Sequence, residues 1–116
     1  METKYSPQAG NATLLILSLL AEGDLYGYQM IEALERRSQN VFSMKAGTLY
    51  PLLHKLEQAG AVRAYEQFAE NGKLRKYYAM TNSGRKLLQE KQEEWQVYAG
   101  AVDRVLQRGE GLQWAR

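Results

Sequence analysis

The sequence lacks cysteine altogether, and its 116 residues include only one histidine, His54. Without cysteine there is no disulfide and no thiolate nucleophile, and one histidine cannot form the ligand pairs typical of zinc sites. The carboxylates are not clustered as acid–base chemistry requires. We therefore predict a protein that is not an enzyme and that uses no metal and no cofactor.

Long hydrophobic runs are also missing. The most apolar stretch, ATLLILSLLA at residues 12–21, is too short to span a bilayer and is typical of a buried helix. The first ten residues, METKYSPQAG, are polar and do not resemble a signal peptide. With 45% hydrophobic and 24% charged residues, the chain is predicted to be globular and cytoplasmic, with no membrane segment.

Positive charge is concentrated in the middle of the chain. Residues 44–91 contain nine Lys and Arg against four Glu, whereas the segments before and after are net negative. A local basic excess is typical of a surface that binds an anionic partner, most often nucleic acid. A solvated, lysine-rich surface has the same composition, so charge alone leaves both interpretations open.

Hydrophobic periodicity predicts three helices in the first half of the chain. Asn11 is the expected N-cap of a helix that ends near Glu22, and Asp24 is the expected N-cap of a second helix over about 25–38. A third helix is predicted from residue 46 to about 59, and Gly60 follows as its stop.

The apolar spacing then changes from a helical period to alternation. Strands are predicted at about 62–70 and 73–80, joined by a two-residue turn at Asn71-Gly72. Thr81 is the expected N-cap of a long last helix over about 82–108.

The predicted element order is α-α-α-β-β-α, a mainly α fold. That order predicts a winged helix-turn-helix in which the third helix enters the major groove and the hairpin contacts the flanking backbone. The predicted organisation is a flexible N-terminal arm at 1–10, a DNA-binding domain at 11–80, a C-terminal dimerisation helix at 81–108 and a flexible tail at 109–116.

The predicted third helix has a polar outer face. Its apolar stripe consists of Leu49, Leu52, Leu53 and Leu56. The opposite face carries Gly47, Pro51, His54 and Gln58, flanked by Thr48, Tyr50 and Lys55. Pro51 either kinks the start of a helix that begins at residue 46 or lies in the first turn of a later one, and simple helix initiation explains it equally. Hydrogen-bonding groups on this face suit base contacts, and an idle surface histidine remains the alternative for His54.

The hairpin is basic just after its turn. Lys73, Arg75 and Lys76 suit phosphate contacts, which supply affinity and register, although charge also protects an exposed strand edge. Tyr77 and Tyr78 must face opposite sides of the strand, so one of them is expected in the core.

Apolar residues seven apart on the last helix predict helix pairing. Leu88, Trp95 and Val102 form one series, and Tyr98 and Val105 form another. A heptad pattern on a helix about 40 Å long favours a homodimer. An intramolecular packing stripe is the alternative.

Four segments together resemble the PadR family of bacterial transcriptional regulators. They are LYGYQMIEAL (25–34), GTLYPLLHKLEQAG (47–60), RKYYAMTNSG (75–84) and the long helix that follows. The similarity runs from about Thr13 to Leu106. It implies a winged-helix domain, homodimerisation through the last helix with help from the first, and usually repression. Lys45 stands where relatives often carry a capping Ser or Asn.

The resemblance also implies which residues act. Tyr26 and Tyr28 lie where family members touch phosphates, and Gly27 matches the family's Tyr-Gly pair. The DNA contacts expected from spacing and resemblance together are Tyr26, Tyr28, Lys45, Thr48, Tyr50, Pro51, His54, Lys55, Gln58, Lys73, Arg75 and Lys76. The residues expected at the dimer interface are Leu88, Trp95, Tyr98, Val102, Val105 and Leu106.

Some short family members bind flat aromatic compounds between paired tryptophans at the dimer centre. The resemblance therefore implies a small aromatic effector beside Trp95, Tyr98 and Leu88, and plain dimer packing is the other interpretation of Trp95. A winged helix that binds protein instead of DNA is the alternative function. The polar, basic outer face of the third helix favours double-stranded DNA.

Overall fold

The computed structural model describes residues 4–107 and contains four helices and three strands. In chain order they are α1 (Ala9–Leu20), β1 (Leu25–Tyr26), α2 (Gly27–Arg37), α3 (Ala46–Gln58), β2 (Val62–Phe68), β3 (Leu74–Met80) and α4 (Asn82–Leu106). The predicted fold class is confirmed, because three helices, a hairpin and a long last helix follow one another as expected.

The short strand β1 was not predicted. It pairs antiparallel with β3, Leu25 opposite Tyr78 and Tyr26 opposite Tyr77, and extends the hairpin to a sheet of order β1-β3-β2. Two residues are too few to show an alternating pattern in the sequence. The strand is recognised only in the structure, where it pairs with the free edge of β3.

Asp24 does not cap α2, contrary to the prediction. The helix begins at Gly27, and Tyr26 is its N-cap residue, because residues 25 and 26 belong to β1. The Asp24 carboxylate instead accepts a hydrogen bond from the Tyr65 hydroxyl at 2.6 Å.

Asn11 does not cap α1 either. Helical hydrogen bonding begins earlier, since the Ala12 N–H donates to the Gln8 carbonyl at 2.7 Å, and the helix starts at Ala9. Before it, Tyr5 forms an isolated parallel bridge with Phe42 in the loop between α2 and α3. Part of the predicted arm is thus paired with that loop. Residues 1–3 and the predicted tail at 109–116 lie outside the described residues, and the division into domains stays a prediction.

The wing, β2 and β3 with their connecting loop, has a longer turn than predicted. The last pair in the register is Phe68 opposite Leu74, and the Ala69 N–H donates to the Lys73 carbonyl at 2.8 Å. The Gly72 N–H donates a hydrogen bond to the Ala69 carbonyl at 2.9 Å, and Gly72 has a φ of 83°. That is the pattern of a three-residue loop with a glycine bulge, so the two-residue turn was wrong although the hairpin was right.

The core lies where α1, α2, α3, the sheet and the first turns of α4 meet. Its largest fully buried side chains are Ile16, Leu17, Met30, Leu49 and Leu53. Leu56 is also buried, and Leu52 packs against this core. The leucine stripe of α3 therefore faces inward as predicted, and the opposite face of α3 is left to solvent.

The start of α4 is fixed by two contacts with the turn after α3. The predicted cap residue, Thr81, is confirmed: its hydroxyl accepts from the Gly84 N–H at 3.0 Å and donates to the Gly60 carbonyl at 2.5 Å. A Cβ at Gly84 would overlap the Ala61 carbonyl oxygen and lie 2.7 Å from Met80 Cγ. Glycine stands at the capping-box position because no side chain fits there.

Replacing Gly84 with alanine is expected to lower the free energy of unfolding by about 1–3 kcal/mol, the usual cost of overpacking, because a carbonyl group cannot rotate away as a side chain can. The matched control is Gly100→Ala on the same helix, where a Cβ meets only Arg104 Nη1 at 3.6 Å. That change should be neutral or stabilise by up to about 1 kcal/mol. Urea unfolding followed by circular dichroism measures both, and equal effects would contradict the packing argument.

Candidate nucleic-acid interface

The outer face of α3 is the first part of the candidate interface. The predicted contact residues on and beside this helix are all exposed, namely Lys45, Thr48, Tyr50, Pro51, His54, Lys55 and Gln58. Glu57 is the only acidic residue of the helix. The exposed face therefore presents amide, hydroxyl, imidazole and ammonium groups, which suit base edges and phosphates.

Pro51 lies inside α3 and not in its first turn. The helix begins at Ala46, with Lys45 as the N-cap residue and no side-chain cap. Of the three explanations given for Pro51, the structure agrees only with the one in which the helix begins at residue 46. Proline has no N–H, so the Gly47 carbonyl loses the donor that residue 51 would otherwise supply. Gly47 is exposed, with no atom within 4 Å of a Cβ placed there, so the backbone at this end of α3 is accessible.

Tyr50 connects the outer face of α3 with α2. A Cβ at Gly27 would lie 2.6 Å from Cζ of Tyr50, so the end of the tyrosine ring rests directly on the first residue of α2. Glycine at this position lets the two helices meet through one aromatic ring. Sequence reasoning noted both residues separately and missed their contact, since residues 27 and 50 are far apart in the chain.

The basic residues of the wing lie on opposite faces of the sheet. Alternation along β3 places Lys76 on the same side as buried Tyr78, and the Lys76 Nζ lies 5.7 Å from the centre of that ring. Arg75 points to the other side, where its guanidinium lies 5.1 Å from the centre of the Tyr26 ring. Lys73 is exposed at the tip. The three residues predicted as one basic patch are therefore divided between two surfaces.

The outer face of the sheet carries a cluster of tyrosines. Tyr65 and Tyr77 stack with ring centres 5.7 Å apart, and Tyr26 meets Tyr77 edge to face at 5.3 Å. The hydrogen bond with Asp24 raises the pKa of Tyr65. Tyr26 is therefore held by its neighbours, whereas Tyr28 is 59% exposed at the start of α2.

Tyr78 is the core residue of the Tyr77–Tyr78 pair, which confirms that one of the two is buried. Burial raises the pKa of its phenol above the ordinary value, and the positive charge of Lys76 opposes that shift. Glu57 and Tyr50 of α3 also act on the pKa of Tyr78. Tyr78 belongs to the same buried core as Leu53 and Leu56 of α3, so the face of the wing that carries Tyr78 and Lys76 is the face directed toward that core.

The second half of α4 exposes apolar side chains. Tyr98 is 64% and Val105 is 82% exposed, whereas Leu88 is only 8% exposed and packs in the core of its own chain. Leu88 is therefore a core residue and offers little surface to the dimer interface and effector site predicted for it. Val97, also exposed, was not predicted. The exposed apolar residues of α4 are Trp95, Val97, Tyr98, Val105 and Leu106, and Val102 is half-buried.

A groove separates the second half of α4 from the start of α1. It has a volume of about 310 Å³, and its walls include Asn11, Leu14, Trp95 and Tyr98. The two aromatic rings lie 5.9 Å apart and are tilted by 36°. One side of this groove is aromatic, which is the feature that a flat ligand would need.

Neither a membrane span nor a metal site is found in residues 4–107. No helix there has the length and apolarity to cross a bilayer. No three His, Asp or Glu side chains in this part of the chain are grouped so that they could hold a metal ion.

A three-helix domain with a hairpin wing and a polar, basic face on α3 defines the class of winged-helix DNA-binding proteins. Residues 16–90 match the model of the transcriptional regulator PadR-like family, and the chain belongs to this family. It is accordingly a DNA-binding transcriptional regulator and not an enzyme.

Individual relatives and solved structures are similar to most of the chain. An uncharacterised protein of Lysinibacillus sphaericus is 34% identical over 90% of this chain and 93% of its own. A transcriptional regulator from Clostridium thermocellum superposes with a TM-score of 0.76 at 33% identity, covering 84% of this chain and 95% of that one. A PadR family transcription regulator from Clostridium difficile superposes with a TM-score of 0.72 at 31% identity, covering 82% and 97%.

Proposed function

We propose that the protein is a homodimeric, sequence-specific transcriptional repressor that acts in the cytoplasm on double-stranded DNA. The observation that carries this proposal is that α3 exposes a face of polar and basic side chains, and that the wing that follows it in the chain exposes Lys73 and Lys76. With α3 in the major groove, His54 and Gln58 face base edges, while Lys55, Lys73, Lys76 and Tyr28 face phosphates. Repression is what the family resemblance implies.

Dimerisation is supported by the end of α4. The side of this helix that packs on the core at Leu88 continues through Trp95 and Val102, one heptad and two heptads further on, after the core has ended. An apolar side of a helix that outreaches its own domain favours pairing with a second copy. Two copies related by a two-fold axis would place two α3 helices on a palindromic site.

Fluorescence anisotropy with duplexes tiled across the DNA upstream of its own gene tests this function. Tight binding to one tile, with a steep dependence on salt, is expected for a specific regulator, and a scrambled duplex of equal length is the control. Transcription from that tile should fall when the protein is added. The protein-interaction alternative predicts no binding to any duplex even at low salt.

Changing His54 or Gln58 to alanine is expected to alter discrimination between sequences more than overall affinity. A lost base contact is worth about 1–3 kcal/mol against the wrong base, so the preference for the bound tile over variants at one base pair should fall roughly 5- to 150-fold. Lys55→Ala is the matched control on the same helix and should weaken binding to all duplexes equally. If the order of preference among duplexes stays unchanged, neither residue reads a base.

We further propose that the groove at Trp95 takes a flat aromatic effector that releases the protein from DNA. Trp95 and Tyr98 supply aromatic faces, and the second subunit would complete the site. The probe is 2-naphthoate, which should quench the emission of Trp95 and lower operator affinity. Trp95→Phe should keep the dimer and lose most of the quenching. Plain dimer packing predicts instead that 2-naphthoate changes neither emission nor DNA binding.

A further inference from the structure

The tip of the wing carries an apolar pair that the functions above leave unexplained. Phe68 and Leu74 lie directly opposite each other at the last pair of the register. They are 68% and 53% exposed. No other large apolar side chain of the wing is as exposed as these two, so a binding partner would explain the pair.

The pair points toward the side of the molecule that α3 occupies. Residues alternate between the two faces of a strand, so Leu74 lies on the same face as Lys76 and Tyr78. Tyr78 is buried in the core together with Leu53 and Leu56 of α3. Leu74 and its partner Phe68 therefore project beyond the core on the α3 side.

The wing is long enough for this pair to reach the next groove of a bound duplex. Seven residues of β3 extend over roughly 23 Å at the usual rise per residue. With α3 in the major groove, the neighbouring minor groove lies about 17 Å further along the axis, half of a helical turn. The tip can thus reach a minor groove on the flank of the α3 site.

The charges around the pair suit an anionic partner. Lys73 and Lys76 are exposed beside it, while Glu66 lies opposite Lys76 in the register and Glu70 belongs to the tip loop. Over residues 62–80 there are four Lys and Arg against two Glu. Phenylalanine and leucine are among the side chains that minor-groove proteins insert between base steps.

We propose that Phe68 and Leu74 form an apolar contact in the minor groove that flanks the α3 site, and that the affinity consequently depends on how easily the flanking base steps deform. This inference rests on the DNA binding proposed above. Flexible steps such as TA unstack at low cost, whereas stiff flanks resist the same contact. The flanks are therefore selected without a hydrogen bond to any base.

The test uses the tile that the wild-type protein binds and two versions of it, one with a TA step and one with GC at the flank. The wild type should prefer the TA flank roughly fivefold or more, within the range of a single unfavourable base pair. Phe68→Ser with Leu74→Ser should bind both versions more weakly and with a preference below about twofold. This variant should still discriminate between base sequences at the site that α3 contacts. Energy transfer between two dyes attached to the ends of the duplex should show that this variant bends the DNA less than the wild type does.

Lys73→Ala with Lys76→Ala is the matched control on the same hairpin. It should weaken binding to both flanks equally and retain the flank preference, because phosphate contacts carry little sequence information. The inference is overturned if the serine variant keeps the wild-type flank preference, or if its mass in sedimentation falls to that of a monomer, which would assign the pair to a second copy. A wild type that binds no duplex would overturn the proposed function itself.

Discussion

Replacing Tyr98 and Val105 with glutamate is expected to convert the proposed dimer into a monomer and to weaken DNA binding by about a hundredfold or more. Both side chains are largely exposed in the single chain, and they lie one heptad apart on the same side of α4. In a dimer they would be covered by the partner, where an unpaired carboxylate is strongly unfavourable. A monomer binds only one half-site and loses the advantage of two linked contacts.

The control for this prediction adds the same charge to the other side of the helix. Gln89 and Gln96 are exposed and also one heptad apart, so Gln89→Glu with Gln96→Glu changes the net charge equally. Sedimentation velocity should give a dimer for this control and a monomer for the Tyr98 and Val105 variant. Circular dichroism should show similar helix content for both, since neither pair contributes to the core. A variant that stays dimeric would place the interface elsewhere.

Replacing Lys73 and Lys76 with alanine is expected to lower affinity for every duplex roughly ten- to hundredfold and to flatten its dependence on salt. Each lysine that neutralises a phosphate contributes about one unit to the slope of log K against log salt concentration. In the proposed dimer, two lysines in each subunit should reduce the slope by about four. Titrations at several salt concentrations by fluorescence anisotropy measure this slope directly.

The two faces of the wing provide the control. Arg63 and Arg75 lie on the outer face of the sheet, where their guanidinium groups rest on Tyr65 and Tyr26. Arg63→Ala with Arg75→Ala removes the same charge and should leave the salt slope within one unit of the wild type. If the two double variants had equal salt slopes, the wing would contribute only to the overall electrostatic potential of the protein.

Several elements could be predicted because their signals are local. The leucine stripe identified α3 and its buried face, the sequence Asn71-Gly72 identified the hairpin, and Thr81 identified the start of α4. Each signal depends on residues within a few positions of one another, so short-range geometry suffices. The family motifs rest on the same segments, which explains why fold and family were predicted together.

Contacts between distant segments could not be predicted. The strand β1 forms because β3 offers a free edge, and Gly27 is needed because a ring from α3 lies on it. Glycine is needed at residue 84 because the carbonyl of Ala61 leaves no room for a side chain. In each case the contacting atom belongs to another helix, strand or turn. The residue pattern within the segment itself therefore cannot predict the contact.

The sequence by itself determined that this is a winged-helix regulator with a basic wing, a polar outer face on α3 and an apolar heptad pattern on the last helix. Only the tertiary structure decided how those residues are divided between surfaces. Arg75 and Lys76 are neighbours in sequence, yet pleating sends them to opposite faces. Leu88 shares a heptad series with Trp95, yet the core ends between them. Periodicity gives the direction of a side chain, while the extent of the neighbouring elements determines whether that direction leads to core or to solvent.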